Sequence, residues 1–259
     1  IEEFAINIAL NHNVLSEYDE KIKEKVYQGP NPDEVALVTT MKSLGIEFIE
    51  RIGKIITVNI EHRKEEKKEY EVMQVFAYTS ERKRSGIIVR DPNTKEITLF
   101  VKGADEKIFE MSDEYSKRNL LEETKKHLDL FAKNGLRTLC YASKKISQSE
   151  YDSWVIEYES LKSQAMMDVS KLPLLEEKIS QIEKGVLLTG VSGLEDKLQD
   201  EVKEDIEKFI EAGIQIWMIT GDQMKTAESI GYSSGFFEDD TEVYKIKGSE
   251  SKGEIKDNI

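Results

Sequence analysis

Residues 85–105 read Ser-Gly-Ile-Ile-Val-Arg-Asp-Pro-Asn-Thr-Lys-Glu-Ile-Thr-Leu-Phe-Val-Lys-Gly-Ala-Asp, and this stretch decides the fold. Residues 85–90 and 98–102 are short runs rich in Val, Ile and Phe, and Asp91-Pro92-Asn93 between them is a turn signal. Together they predict two antiparallel strands. The pattern then changes at Gly103, and 104–111 carries apolar residues at helical spacing. A strand pair feeding a helix points to a sheet with helices packed on it.

Working outward, three more strand-like runs precede the hairpin, at 46–51, 55–60 and 70–78. The charge run 62–69 is most simply a solvated hairpin tip. Further upstream, 4–11 predicts a short helix and 16–26 a polar loop. Pro32 opens a helix to about Leu44: proline is tolerated in a first turn, Asp33 and Glu34 suit the helix dipole, and Gly45 stops it. Downstream, 114–133 predicts a helix, 137–145 a strand, and 147–183 two surface helices broken near Leu172-Pro173, with no evident chemistry. The character shifts at Gly185. There 186–191 and 215–219 predict buried strands, with helices at 201–212 and 225–231. Strand, helix, strand, loop, helix reads as a parallel α/β unit, whose functional loop lies at a strand's carboxyl end. Thr220-Gly221-Asp222 occupies that place. The charged tail from about 238 predicts loose order.

The chain has 259 residues and a formal net charge of −14. The acidic balance argues against a nucleic-acid binder, which needs a basic face, but a single nucleotide needs only a local basic pocket. No apolar run approaches the ~20 residues of a membrane helix, and 1–10 lacks the basic start of a secretory signal. The one cysteine, Cys140, cannot form an internal disulfide and reads as a buried small hydrophobe in a reducing, cytosolic setting. The first residue is Ile rather than Met, which suggests an excised segment.

Four short motifs carry chemistry, each with a bland alternative. Lys102-Gly103-Ala104-Asp105 sits where a strand gives way to a helix; the glycine lets a ligand approach the backbone and the lysine meets phosphate or adenine, or this is an ordinary turn with a surface lysine. In Gly135-Leu136-Arg137-Thr138-Leu139 the guanidinium offers a planar fork to phosphate, or the glycine simply ends a helix. Tyr78-Thr79-Ser80-Glu81-Arg82-Lys83-Arg84 could stack a base and attract phosphates, or protect a sheet edge with charge. Thr220-Gly221-Asp222 could bind a phosphoryl group with its hydroxyl and amides, or cap the next helix.

The order of these motifs is more specific than any one of them. Tyr27-Gln28-Gly29 and Pro32-Asp33-Glu34, then Thr79-Ser80 with Arg82-Lys83-Arg84, Lys102-Gly103-Ala104-Asp105, Gly135-Leu136-Arg137, Glu195-Asp196-Lys197-Leu198-Gln199-Asp200 and Thr220-Gly221-Asp222 follow one another. This succession, over about residues 27–236, resembles the P-type ATPases, and within them the phospholipid flippases. The resemblance implies an α+β nucleotide-binding domain at 1–184, an antiparallel sheet flanked by helices. It also implies a partial, haloacid-dehalogenase-like phosphorylation domain at 185–259.

The same resemblance implies roles for matching positions. Tyr78 stands where the family usually has phenylalanine stacked on adenine; it keeps the face and adds a hydroxyl. Glu34 lines the adenine pocket with Ser80 nearby, Lys102 and Gly103 form its floor, and Arg137 reaches the phosphates. Thr220, Gly221 and Asp222 help place the γ-phosphate and Mg²⁺. Ser85-Gly86 replaces the family's Met-Ser. The family's Asp-Lys-Thr-Gly-Thr and Gly-Asp-Gly-x-Asn-Asp motifs do not occur in this sequence, so no catalytic nucleophile and only an incomplete Mg²⁺ site are expected. The implied partners are ATP or ADP, the parent's other domains and an accessory membrane subunit. The implied setting is the cytosolic face of a membrane, with the fragment itself outside the bilayer. The rivals are the same domain of a cation pump, a stand-alone phosphatase of the dehalogenase fold, and a non-catalytic interaction module.

Overall fold

The computed structural model describes residues 2–21, 23–60, 67–195, 198–221, 224–238 and 240–245. They fall into two compact units, one of 2–130 with 138–194, the other of 131–137 with the residues from 195 onward.

The first unit is built on a seven-stranded sheet. Its strands are β3 (Ile46–Ile52), β4 (Ile55–Ile60), β5 (Lys68–Phe76), β6 (Arg84–Arg90), β7 (Ile97–Gly103), β8 (Arg137–Ile146) and β9 (Leu187–Leu194), adjacent in sequence order. Consecutive strands from β3 to β8 pair antiparallel. This is the expected antiparallel sheet flanked by helices. In the central β6–β7 pair Ile87 lies opposite Phe100 and Ile88 opposite Leu99. Side chains alternate between faces, so Ile87 and Phe100 join one core while Ile88 and Leu99 join the other. Both faces are buried, which is why these strands read as continuous apolar runs.

Helices α1 (Glu2–Leu10) and α2 (Pro32–Ser43) cover the first face. Every α1 residue from Ala5 to Leu10 is buried, including Asn7, whose amide donates to the carbonyls of Val101 and Ala142 at 2.9 and 3.1 Å. The second face packs under α3 (Asp105–Met111), α5 (Leu121–Lys133), α6 (Gln148–Met167) and α7 (Leu172–Glu183). Each of the last two buries one stripe, Tyr151, Trp154 and Tyr158 from α6 and Ile179 and Ile182 from α7. Cys140 is fully buried, and burial pushes its thiol well up, as a small core hydrophobe requires.

Three expectations are corrected. The segment read as a polar loop at 16–26 forms a hairpin, β1 (Leu15–Asp19) with β2 (Glu24–Gln28). It is mostly exposed, so no alternation marks it. The helix expected over 114–133 is two, α4 (Glu114–Asn119) and α5, parted at Leu120. Third, 215–219 is not a strand but irregular, exposed chain, with Ile219 92% exposed. A strand needs partners for its amides, and β9 is paired into the first unit's sheet instead. The described residues of the second unit beyond Arg137 form only helices α8 (Val202–Glu211) and α9 (Met224–Ser233), not the expected parallel α/β segment. The charge run at 62–69 and the tail beyond 238 lie largely outside the described residues.

Candidate functional site

Asn31 caps α2: its side chain accepts the Asp33 amide at 3.0 Å, and Pro32 fixes the first turn. The cap places Glu34 in that first turn with its carboxylate turned inward. Glu34 Oε1 accepts from the Lys102 ammonium at 2.7 Å, and Oε2 accepts from the Asn13 amide at 3.0 Å. Lys102 comes from the penultimate position of β7 and is only 7% exposed, so the surface-lysine alternative does not hold. Burial pulls its ammonium below the ordinary lysine range, and Glu34 only partly restores it. For Glu34, burial pushes upward, but Lys102 and the Asn13 amide outweigh it and hold the carboxyl low. The two directions differ: its partners hold the Glu34 carboxyl in its charged form, whereas burial disfavours the charged form of Lys102. An ammonium has three donors, and Glu34 takes one; the other two have no acceptor among the described residues.

Next to this pair the loop after β5 presents Tyr78, 61% exposed. Glu34, His12, Asn13, Arg51 and Tyr78 line a notch of about 70 Å³. That is well below the ~300–1,000 Å³ of enclosed ligand pockets, so a planar ligand here would rest against Tyr78 with one side in water. Lys102 does not form the wall; it lies behind Glu34. His12 is fixed in one tautomer, accepting from the Val14 amide at Nδ1 and donating from Nε2 to the Ala9 carbonyl. Burial and then Lys102 lower its pKa to about 4, so the ring is neutral.

Gly103 follows Lys102 at the end of β7. A Cβ there would lie 2.5 Å from the Lys83 carbonyl oxygen, so only glycine permits β7 to pass the 82–84 segment so closely.

A family model described as the P-type ATPase cytoplasmic domain N matches residues 1–201. The chain belongs to the P-type ATPase N-domain family. It is 37% identical to Phospholipid-transporting ATPase IC of Xenopus tropicalis over 94% of this chain and 19% of that protein. It is 38% identical to Phospholipid-transporting ATPase DRS2 of Saccharomyces cerevisiae over 100% of this chain and 18% of that protein. Probable phospholipid-transporting ATPase 7 of Arabidopsis thaliana is 37% identical over 87% of this chain and 18% of its own length. The chain thus spans about a fifth of the curated relatives it matches.

This N domain gathers Glu34, Tyr78, Lys102 and Gly103 in its first unit, with Ser80 exposed in the same loop as Tyr78. Arg137 opens β8 but groups with the second unit, as do Thr220 and Gly221, which lie in exposed irregular chain. Asp222 lies outside the described residues. Two larger hollows, about 420 Å³ beside Arg84 and Lys184 and about 530 Å³ beside Lys203 and Phe237, contain none of the predicted site residues apart from Arg84 of the 78–84 motif.

The Arg-Lys-Arg triplet fits neither of its two sequence interpretations. Arg82 and Arg84 point inward, both bonded to the fully buried Glu183 of α7; only Lys83 stays on the surface, paired with Glu106. Sequence reasoning also missed His12, Asn13 and Arg51 on the notch wall, and it missed Glu183. A signal existed for the last: Glu183 falls on the apolar stripe of Ile179 and Ile182, at the i+4 and i+1 positions, where a carboxylate needs partners.

Proposed function

We propose that this N domain binds ATP or ADP reversibly at the Tyr78–Glu34–Lys102 notch, as the nucleotide-holding part of an ATP-driven phospholipid translocase. One observation carries it: a buried lysine with two spare donors beside an exposed aromatic face. Adenine would stack on Tyr78 and offer ring-nitrogen acceptors toward the Lys102 side, with Ser80 at the rim. Arg137, Thr220, Gly221 and Asp222 would serve the phosphates. In the parent the bound γ-phosphate would be presented to an aspartate that this sequence does not contain. In this division of labour residues 1–184 hold the nucleotide, and 185–259 are part of the phosphorylation domain.

Among the described residues no group of three metal-ligating side chains is assembled. Mg²⁺ would come with the nucleotide, neutralising charge on its phosphates, and this chain alone would bind without turnover. The lipid-transporting names of the relatives support a lipid cargo over a cation. The family description supports the cytosolic side of a membrane as the setting and the remaining ATPase domains as partners; an accessory membrane subunit would be a further partner. No helix among the described residues is long and apolar enough to cross a membrane.

The cleanest test uses Tyr78, because its exposure separates binding from folding. Base–aromatic stacking is worth ~1–3 kcal/mol, so Tyr78→Ala is expected to weaken ATP binding about 5- to 150-fold. Tyr78→Phe should bind as the wild type does. Amide shifts at 11–13, 34 and 77–80 during ATP titration measure this. A wild-type chain with no saturable shift at those positions would refute nucleotide binding and leave the interaction-module alternative standing.

A further inference from the structure

We infer that Glu183 is a positioning residue for the nucleotide site, setting the distance between the Tyr78 platform and the Lys102-Gly103 floor through two arginines. The inference rests on the nucleotide-binding function proposed above. Glu183 ends α7 on the opposite face of the sheet from α2, does not line the notch, and is 0% exposed. Its Oε1 accepts from Arg82 Nη2 at 2.7 Å. Its Oε2 accepts from Arg84 Nε at 2.9 Å and from Arg84 Nη2 at 2.6 Å. Arg84 Nη1 returns to the Arg82 carbonyl at 3.1 Å, and Arg82 Nη1 reaches Glu176 at 2.9 Å. One carboxylate thus clamps residues 82 and 84 together.

The clamped segment is the piece shared by both halves of the site. On one side it closes the turn that follows Tyr78: the Lys83 amide donates to the Thr79 carbonyl at 2.8 Å, and the Arg82 amide donates to Thr79 Oγ1 at 3.2 Å. On the other side the Lys83 carbonyl accepts the Ala104 amide at 2.9 Å and presses on Gly103. Lys83 itself is held at φ 52°, a left-handed conformation that lysine disfavours and that persists only where its surroundings over-determine it. The Arg82 guanidinium also lies 5.7 Å from the centre of the Phe76 ring, two residues before Tyr78. Stability alone is a poor reason for such a cluster: buried ion networks can often be replaced by apolar side chains at no loss. Arg82 Nε is even left without a partner among the described residues. What the network does supply is fixed geometry in a segment that bonds to Thr79, next to Tyr78, and presses on Gly103.

The test compares Glu183→Gln, Glu183→Asp and Glu176→Gln in the full chain. Asp retains the charge but shortens the reach, so it serves if the Gln variant does not fold. Amide exchange at Lys83 and Ala104 needs no ligand: both should lose protection in the Glu183 variants and keep it in Glu176→Gln, which cuts only the outer contact of Arg82. ATP affinity should fall at least about fivefold, the low end of a lost base stack. That loss should largely vanish in a Tyr78→Ala background, because residues acting through one contact are not additive. Unchanged protection at Lys83 and Ala104 would overturn the inference. So would an affinity loss that simply adds to that of Tyr78→Ala. Should the wild type bind no ATP, the proposed function falls on its own, while the two amides still decide whether Glu183 fixes the turn.

Discussion

A methyl group at position 103 would meet the Lys83 oxygen at 2.5 Å and the Arg84 Cβ at 2.6 Å. Both belong to or abut the backbone and cannot swing aside. Gly103→Ala should therefore destabilise the first unit by about 1–3 kcal/mol, the usual cost of overpacking, in urea denaturation; a wild-type midpoint would contradict the close approach. His12 adds a pH dependence. Its pKa is lowered from 6.5 to about 4, so between those values the unfolded chain takes up a proton that the folded ring refuses. Stability is then fully present above about pH 6.5 and declines as pH falls toward 4. The loss reaches at most about 3 kcal/mol, less where solvent meets the half-buried ring. Carboxylates titrate in the same window, so the measurement is a difference: His12→Gln should show a flatter pH–stability curve from 6.5 to 4 than the wild type. Parallel curves would mean that His12 is not held neutral.

At the scale of elements, legibility followed burial. The strands at 46–52, 55–60, 84–90 and 97–103 were readable to within a residue or so because their Ile, Val and Phe fill two cores. The β1–β2 hairpin was not, because it buries little and carries Ser, Glu, Lys and Asp on both edges. At 215–219 the error ran the other way. Gln-Ile-Trp-Met-Ile has strand composition, but composition does not supply a neighbouring strand. The site was half legible. The resemblance singles out Glu34, Tyr78, Lys102 and Gly103; Glu34 and Tyr78 line one notch, Lys102 is bonded to Glu34, and Gly103 follows it on β7. The Glu34–Lys102 ion pair could not be read, since 68 residues separate its partners, one on α2 and the other on β7. Glu183 was hidden for the same reason, about 100 residues from the arginines it binds.

At the scale of the molecule the two units are unequal. The first holds two large cores; the second has Ala132 and Ile206 as its buried apolar side chains among the described residues. Phe209, Ile210, Ile214 and Trp217 stand at least half exposed. Regions with few buried apolar contacts open at low free energy. Amides of α8 and α9 are thus expected to exchange, and to lose structure in urea, before those of β6 and β7. One shared urea midpoint for both sets would show instead a single cooperative unit.

The two tryptophans mark these units separately. Trp154 is 5% exposed, stacks on Tyr158 with ring centres 4.6 Å apart, and donates to the Lys178 carbonyl, whereas Trp217 is 82% exposed. Iodide in solution would silence the emission of Trp217 and spare that of Trp154. The remaining light would come from an indole whose ring centre lies 6.0 Å from that of Phe76, two residues before Tyr78. The chain therefore carries a native optical gauge near the Tyr78 loop, one that needs no attached dye.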